Sequence, residues 1–212
     1  MVRLFLPLIL MLCSLGIGAQ PMRELFAQMP DSLLPTLTRN NRLDLIDFIE
    51  AGLDNMVSNR LGGESRLTML TGNRAKLRLS EGATIELCKL EGSQVMCYIH
   101  SVRLDSAWHS NLRFYDVSTW KRLPLQQYIT MPTTLQFLSP PADATATELQ
   151  NLEVLAGMPL IHASFTSDTT IHFTFSSANH ADSDYRRYIL PLVAREGISL
   201  EWQSGSSQFS KP

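Results

Sequence analysis

The stretch TIELCKLEGSQVMCYIHSV, residues 84–102, decides the fold. Two runs of apolar and β-branched residues, 84–90 and 95–102, flank a short polar segment, EGSQ, that contains a glycine. Strand-forming runs joined by so short a connection predict a β-hairpin. Whether the loop has two residues or four, the register places Cys88 opposite Cys97.

This register predicts a disulfide between Cys88 and Cys97. If Glu91 and Gln94 close the turn as a hydrogen-bonded pair, the cysteines form a non-hydrogen-bonded pair, because the two kinds alternate along an antiparallel ladder. The Cα atoms of such a pair lie about 4.5 Å apart, within the range of roughly 4.4–6.8 Å that a disulfide accepts. Two buried thiols that pack without bonding are the alternative.

The alternation of apolar and polar residues continues on both sides of the hairpin. It predicts an antiparallel meander of strands at residues 66–71, 73–80, 84–90, 95–104 and 111–117, because the connections are too short for parallel crossovers. In the second strand, Arg74, Lys76 and Arg78 alternate with apolar residues, so one sheet face is basic. This basic stripe is a candidate anion site, and a solvated outer face is the simpler interpretation.

A helical pattern precedes each set of strands. Residues 42–61 place apolar side chains on one arc and carboxylates on another, which predicts an amphipathic helix with its N-cap at Asn40 or Asn41. Thr145 and Glu148 fit a capping box at the start of a second helix. Further strands are predicted at residues 160–166, 169–176, 185–194 and 198–203.

The order of these elements predicts an α+β fold of two helix-plus-antiparallel-sheet modules. It is compatible with a structural duplication, although residue identity between the halves is too low to assert common descent. The predicted domains are a signal peptide (1–19), a first module of helix plus meander (20–138), a linker (139–144), a second module (145–203) and a polar, disordered tail (204–212).

The N-terminus has the three parts of a secretory signal peptide. Arg3 supplies the positive charge, residues 4–15 are mostly apolar, and residues 16–19 form a small-residue cleavage region. Cleavage near Ala19 would deliver the chain to the periplasm or the medium and would remove Cys13. The apolar run is shorter than the roughly 20 residues that span a membrane, so we expect no stable membrane insertion after cleavage.

Composition excludes some classes of partner. The net charge is −2, whereas binding of nucleic acid by counterion release needs clustered lysines and arginines. The same reasoning argues against a polybasic membrane surface. The sequence has no phosphate-cradling glycine loop. We therefore expect no nucleic-acid partner and no cofactor.

The histidines do not form a recognisable metal motif, and neither a Gly-x-Ser-x-Gly elbow nor a His-Glu-x-x-His motif is present. His162 and His172 lie on neighbouring predicted strands. Direct pairing across the intervening turn places His172 opposite Ala163, so the two histidines are expected on opposite faces. A shared zinc site is not expected.

The loop that contains His180, Asp182 and Asp184 is the strongest candidate for chemistry. A histidine and two carboxylates at alternating positions could hold a metal ion or contribute to a hydrolase site. A polar hairpin tip is the alternative, because a fourth ligand is missing. We therefore assign no catalytic, metal or cofactor-binding residue from the sequence.

The N-terminal third contains the segments ELF (24–26), MPDSLLP (29–35), LT (37–38), NNRLDLIDF (40–48) and NRLGG (59–63). These segments resemble an uncharacterised domain-of-unknown-function family of exported proteins from Bacteroides-type Gram-negative bacteria. The resemblance implies an envelope or secreted location. It implies no activity, and no catalytic residue can be transferred from it.

Together these observations favour a non-catalytic binding module that recognises an envelope protein or polymer. This expectation is an analogy of fold, since paired helix-and-sheet modules offer broad sheet faces. Two alternatives stay open. One is a periplasmic or secreted hydrolase whose site is built from dispersed residues, and the other is a subunit of an envelope assembly.

Overall fold

The computed structural model of the protein describes residues 20–156, 159–177, 187–194 and 197–212. The predicted signal peptide and the candidate residues His180, Asp182 and Asp184 lie outside these ranges. Within them the chain combines α-helices with two antiparallel sheets, which confirms the α+β prediction.

The helices are α1 (Met22–Gln28), α2 (Arg39–Glu50) and α3 (Ala146–Ala156), with short 3₁₀ helices at Leu125–Gln127, Thr134–Phe137 and Leu190–Leu192. The strands are β1 (Met56–Ser58), β2 (Glu64–Leu70), β3 (Arg74–Ser80), β4 (Ala83–Lys89), β5 (Val95–Leu104), β6 (Ala107–Asp116), β7 (Arg122–Leu123), β8 (Ile161–Phe165), β9 (Thr170–Phe175), β10 (Ile198–Gln203) and β11 (Gln208–Ser210). No helix in the described ranges is long and apolar enough to cross a membrane.

The first sheet contains β1 to β7 in chain order, and the second has the order β11-β10-β9-β8. The predicted meander is therefore confirmed, and β5 has the predicted bounds. In β4 and β5, residues 85–89 and 95–99 are buried without interruption. A strand that is buried on both faces needs apolar residues on both, which explains why the hairpin sequence is so rich in them.

The seven-stranded sheet is covered on both faces. On one face, α1 and α2 pack against it, and Phe26, Leu45 and Leu87 belong to one apolar cluster. On the other face lies the four-stranded sheet, and Phe114 and Phe173 belong to a second cluster that joins the two sheets. The C-terminal strands thus share a core with the N-terminal ones.

Strand β8, at the edge of the second sheet, contacts β4, β5 and β6. The backbone N–H of Phe165 donates to Glu86 Oε2 at 3.0 Å, and that of Ala163 donates to Ser110 Oγ at 2.8 Å. Glu86 is buried and forms an ion pair with Lys76 Nζ at 2.8 Å. Side chains of the first sheet therefore satisfy an edge that would otherwise be open to pairing with another chain.

Both long helices described here begin at capping boxes. Thr38 Oγ1 accepts from the N–H of Asn41 at 3.1 Å, and Asn41 Oδ1 accepts from the N–H of Thr38 at 3.0 Å. The predicted N-cap at Asn40 or Asn41 is therefore wrong by two or three residues. The box predicted at Thr145 is confirmed, since Glu148 Oε2 accepts from its N–H at 2.7 Å.

The predicted helix over residues 42–61 is wrong in its second half. Helix α2 ends at Glu50, and Gly52 adopts a φ of 66°, a left-handed conformation that glycine tolerates and that stops the helix. Leu53, which the prediction placed on the apolar arc, is 61% exposed. Val57 does reach the core, but it does so from strand β1.

Two predictions for the C-terminal part are also wrong. Residues 187–194, assigned to a strand over 185–194, contain the 3₁₀ helix Leu190–Leu192. Pro191 cannot donate a ladder hydrogen bond, which disfavours a strand there. The tail predicted to be disordered contains β11, where Phe209 is buried with its ring centroid 5.3 Å from that of Trp202.

The register of the central hairpin is confirmed, but the predicted disulfide is not formed. Cys88 pairs with Cys97, and both are free. The N–H of Leu90 donates to the carbonyl of Val95 at 2.9 Å, so the ladder closes one pair before the predicted position. Alternation then makes the cysteines a hydrogen-bonded pair and not the predicted non-hydrogen-bonded pair. Cys88 Sγ instead lies 3.2 Å from the carbonyl oxygen of Asp168.

Candidate ligand-binding cleft

A cleft of about 650 Å³ opens on the face of the seven-stranded sheet that carries α1 and α2. Its floor is formed by strands β3 to β6, and its walls by residues 32–36 and by the turn at 59–63. The lining residues are Ser32, Leu33, Leu34, Pro35, Thr36, Asn59, Leu61, Gly63, Leu79, Ser80, Ala83, Ile85, Tyr98, His100, Val102 and Arg113. We call this feature the Tyr98 cleft. Its aliphatic lining is typical of small-molecule sites.

A buried arginine fixes the wall formed by residues 32–36. Arg42 of α2 is 1% exposed, and its guanidinium donates to Asp31 Oδ1 at 2.9 Å. It also donates to the carbonyls of Met29 and Leu37, one on each side of the wall. Because a buried charge needs partners of this kind, the arginine and the loop hold each other in place.

Asp31 connects this wall to the second one. Its Oδ2 accepts from Arg60 at 3.0 Å, and the backbone N–H of Arg60 donates to the carbonyl of Thr36 at 3.0 Å. The hydrogen bond from Arg42 is the main cause that lowers the pKa of Asp31, and the charge of Arg60 adds to it. The carboxylate therefore stays ionised at neutral pH and holds both walls.

Tyr98 ties the floor of the cleft to its wall. Its hydroxyl donates to the carbonyl of Leu33 at 3.1 Å, and its ring meets that of Tyr115 edge-on with centroids 6.0 Å apart. Burial raises the pKa of the Tyr98 phenol. The hydroxyl is therefore protonated at all physiological pH values and acts as a hydrogen-bond donor.

Two basic side chains complete the lining. Arg113 of β6 lies opposite Tyr98 of β5, and His100 lies opposite Asn111, whose Oδ1 accepts from Arg113 Nε at 3.1 Å. None of the ion pairs formed by described residues includes Arg113, and the lining contains no carboxylate. Burial, followed by the charge of Arg113, lowers the pKa of His100. At neutral pH the cleft thus carries one positive charge, on Arg113.

Comparison with known families agrees with the sequence resemblance at its coarser level. A family model described as a protein of unknown function, DUF3256, matches residues 14–207. The chain belongs to the DUF3256 family. No curated protein matches it.

The fold of this DUF3256 chain also occurs in a solved structure. The chain is similar to a domain of an uncharacterized protein from Porphyromonas gingivalis, with a TM-score of 0.74 and 21% sequence identity. The match covers 90% of this chain and 97% of that one. At this level of identity the likeness shows a shared fold alone.

The basic stripe of the DUF3256 chain is mostly neutralised. Arg74 donates to the carbonyl of Phe165 at 2.8 Å and its side chain is 12% exposed. Lys76 forms the ion pair with Glu86, and Arg78 lies 3.5 Å from Glu81. The expectation of a solvated outer face is wrong for Arg74, since that end of the stripe packs against the second sheet.

The two histidines that were expected on opposite faces share one face. Strands β8 and β9 pair one residue out of the predicted register, so His172 lies opposite Ser164 and projects to the same side as His162. They nevertheless bond to different serines: His162 Nδ1 lies 3.2 Å from Ser110 Oγ, and His172 Nδ1 lies 3.0 Å from Ser199 Oγ. The described part of the DUF3256 chain contains no group of three or more histidine, cysteine and carboxylate residues that could hold a metal ion.

The contact between Ser110 and His162 has the composition of a nucleophile and a base, but its surroundings are structural. Ser110 is buried, accepts from the N–H of Ala163 and lies 2.7 Å from the hydroxyl of Ser101. A nucleophile must reach a substrate carbonyl, and this hydroxyl is enclosed between the two sheets. We therefore assign it to the packing of β8 on β6.

The residues of the Tyr98 cleft were not identified from the sequence. One signal was present: Tyr98 and His100 alternate with apolar residues in the most apolar strand of the chain. Arg113 could not be connected to them without the register of β5 and β6. The wall at residues 32–36 is held in place by the side chain of Arg42, and no local sequence pattern indicates that this side chain points inward.

Proposed function

We propose that this protein is a non-catalytic binding protein and that its ligand occupies the Tyr98 cleft. The observation that carries the proposal is a pre-formed apolar cleft that holds one uncompensated cation, Arg113, among the described residues. Apolar concave sites with a few polar groups are the usual form of ligand pockets.

The polar groups of the cleft support binding rather than catalysis. The hydroxyl of Tyr98 is already used by the carbonyl of Leu33. Among the side-chain hydrogen bonds of the described residues, none orients His100 against a hydroxyl or a carboxylate, as a general base requires. The cleft therefore has groups that attract a ligand and lacks the arrangement that would activate a nucleophile.

We further propose that the protein acts outside the cytoplasm of a Bacteroides-type bacterium. The N-terminal pattern of charge, apolar run and small residues supports export, and the similar solved domain comes from Porphyromonas gingivalis. Fractionation of cells that express the full chain would test this proposal. A mature protein that begins near Gln20 is expected in the periplasm or the medium, and an uncleaved cytoplasmic chain would contradict it.

The cleft itself can be tested with the neutral apolar probe N-phenylnaphthylamine, whose fluorescence rises in apolar surroundings. The purified mature protein should bind it saturably at one site. Leu61, in the wall, is 81% exposed, so Leu61→Asp should leave the fold intact and weaken binding about tenfold, because the charge would be desolvated by the probe.

The matched control is Leu53→Asp, a similarly exposed leucine that does not line the cleft. It should leave probe affinity unchanged. Equal affinity of the Leu61→Asp variant and the wild type, or binding that does not saturate, would contradict the assignment of the cleft.

A further inference from the structure

We infer that the Tyr98 cleft takes an aliphatic carboxylate, with the alkyl chain along the apolar floor and the carboxylate on Arg113. This inference rests on the proposed function and specifies the class of its ligand. It follows from three features of the cleft: the backbone of its floor, the chemistry of its lining and the charge of its basic residues.

The floor offers a bound molecule no backbone partners. Strands β3, β4 and β5 are paired on both sides, and β6 pairs with β5 along its length and with β7 at Phe114 and Tyr115. Their N–H and C=O groups point along the sheet and not out of the face that forms the floor. In the wall, the carbonyls of Leu33 and Thr36 accept from Tyr98 and Arg60. A peptide in the cleft would bury its own amides without partners, which is unfavourable, whereas an alkyl chain has no such groups.

The lining fits methylene groups. Ile85, Leu79 and Val102 line the floor, while Leu33 and Leu61 line the walls. Burial of each methylene group adds to the binding free energy, so the alkyl chain would supply most of the affinity. The exposure of Leu61, which projects from its wall, is consistent with a side chain whose apolar contact is a ligand.

The charge selects the head group. Arg113 has a neutral amide, that of Asn111, as its only described side-chain hydrogen-bond partner. A guanidinium offers a planar fork of donors that matches a carboxylate with two parallel hydrogen bonds. The cleft thus has a cation, and its lining has no carboxylate that would repel an anion.

The test compares dodecanoate with dodecanol by isothermal titration at neutral pH, below the micellar concentration of dodecanoate and the solubility limit of dodecanol. The wild type should bind dodecanoate about tenfold more tightly than dodecanol. Arg113→Gln should weaken dodecanoate about tenfold and leave dodecanol unchanged, and Arg113→Lys should restore part of the preference. Arg103→Gln is the control, because Arg103 is an exposed arginine on the other face of β5.

Each outcome separates this inference from the proposed function. If dodecanol binds as tightly as dodecanoate, or if Arg113→Gln weakens the binding of both equally, the assignment of a carboxylate head group is wrong. The cleft would then still be a binding site. If neither compound binds while N-phenylnaphthylamine binds in a Leu61-dependent manner, the inference that the ligand is aliphatic is wrong. If the probe does not bind either, the proposed function fails as well.

Discussion

Asp31 is one carboxylate that serves two arginines in different surroundings. Arg42 is almost fully buried and Arg60 is about half exposed, and each takes a different oxygen of the same group. A buried guanidinium that lost this partner would keep only its two carbonyl acceptors. The residue therefore stabilises both the loop after α1 and the wall of the Tyr98 cleft.

The pH dependence of stability should show this role. The folded pKa of Asp31 lies below its ordinary value of 3.8, so its stabilisation is present above that pH and is lost as the pH falls through the folded pKa. Asp31→Asn should lower the melting temperature at pH 7, and the difference from the wild type should shrink between about pH 4 and pH 2.

The control is Asp47→Asn, which removes an exposed carboxylate that lies 3.7 Å from Arg23. Surface pairs of this kind contribute little, so its melting temperature should follow that of the wild type at every pH. A difference between wild type and Asp31→Asn that stays constant down to pH 2 would show that the ionised carboxylate is not the stabilising group.

The roles of some single residues could be predicted from the sequence, and those of others could not. Thr145 and Glu148 were identifiable because a capping box is a local pattern of fixed spacing. Arg42 sits in the same helix as three exposed acids, and the pattern gives no reason for its side chain to turn inward. Its partners lie 5 to 13 positions earlier in the chain, so only the path of the loop reveals the contact.

In the hairpin of β4 and β5, the two cysteines face each other and are both buried. Because the ladder closes at Leu90 and Val95, Cys88 and Cys97 form a hydrogen-bonded pair. Burial raises the pKa of the Cys88 thiol to about 12, and burial also raises that of Cys97. Because the thiolate is the reactive form, neither thiol should react readily in the folded state.

We therefore expect two free, protected thiols. The purified mature protein should give little reaction with dithionitrobenzoate when folded and two equivalents after unfolding in guanidinium without reductant. Mass spectrometry of the unreduced protein should give the mass expected for a chain in which both cysteines are free thiols. A mass lower by two hydrogens, with no reaction after unfolding, would establish the disulfide instead.

At the level of elements, strands β2 to β6 of the first sheet were predictable because a period of two persists from residue 66 to residue 117. The predicted helix over residues 42–61 covered most of helix α2 and all of strand β1. Leu53 and Val57 happen to have the spacing of residues on the apolar face of a helix. Gly52 separates α2 from β1: it adopts a left-handed conformation after the helix, and the chain then enters β1, which pairs with β2.

If the apolar cluster between the two sheets is a single core, we expect the two sheets to unfold in one transition. Phe173 of β9 is fully buried in that cluster with Phe114 of β6. Phe173→Ala should lower the free energy of unfolding by about 3–5 kcal/mol, and far-ultraviolet circular dichroism and tryptophan fluorescence should give the same urea midpoint.

Leu190→Ala, at a site that is 48% exposed, is the control and should change stability by less than about 1 kcal/mol. Two separate transitions, with only one of them shifted by Phe173→Ala, would show that the sheets are independent folding units. The sequence could not decide this, because the linker at residues 139–144 reads as a boundary, while the contacts across it are made by side chains far apart in the chain.

The closed edge of β8 makes the first sheet depend on residues that come later in the chain. The backbone donors of β8 find acceptors on β4 and β6. A chain that ended before residue 161 would leave Glu86 with Lys76 as its ion-pair partner, and the second face of the first sheet would lack its cover. Such a truncated chain would expose an apolar surface of the kind that makes incomplete chains prone to aggregation.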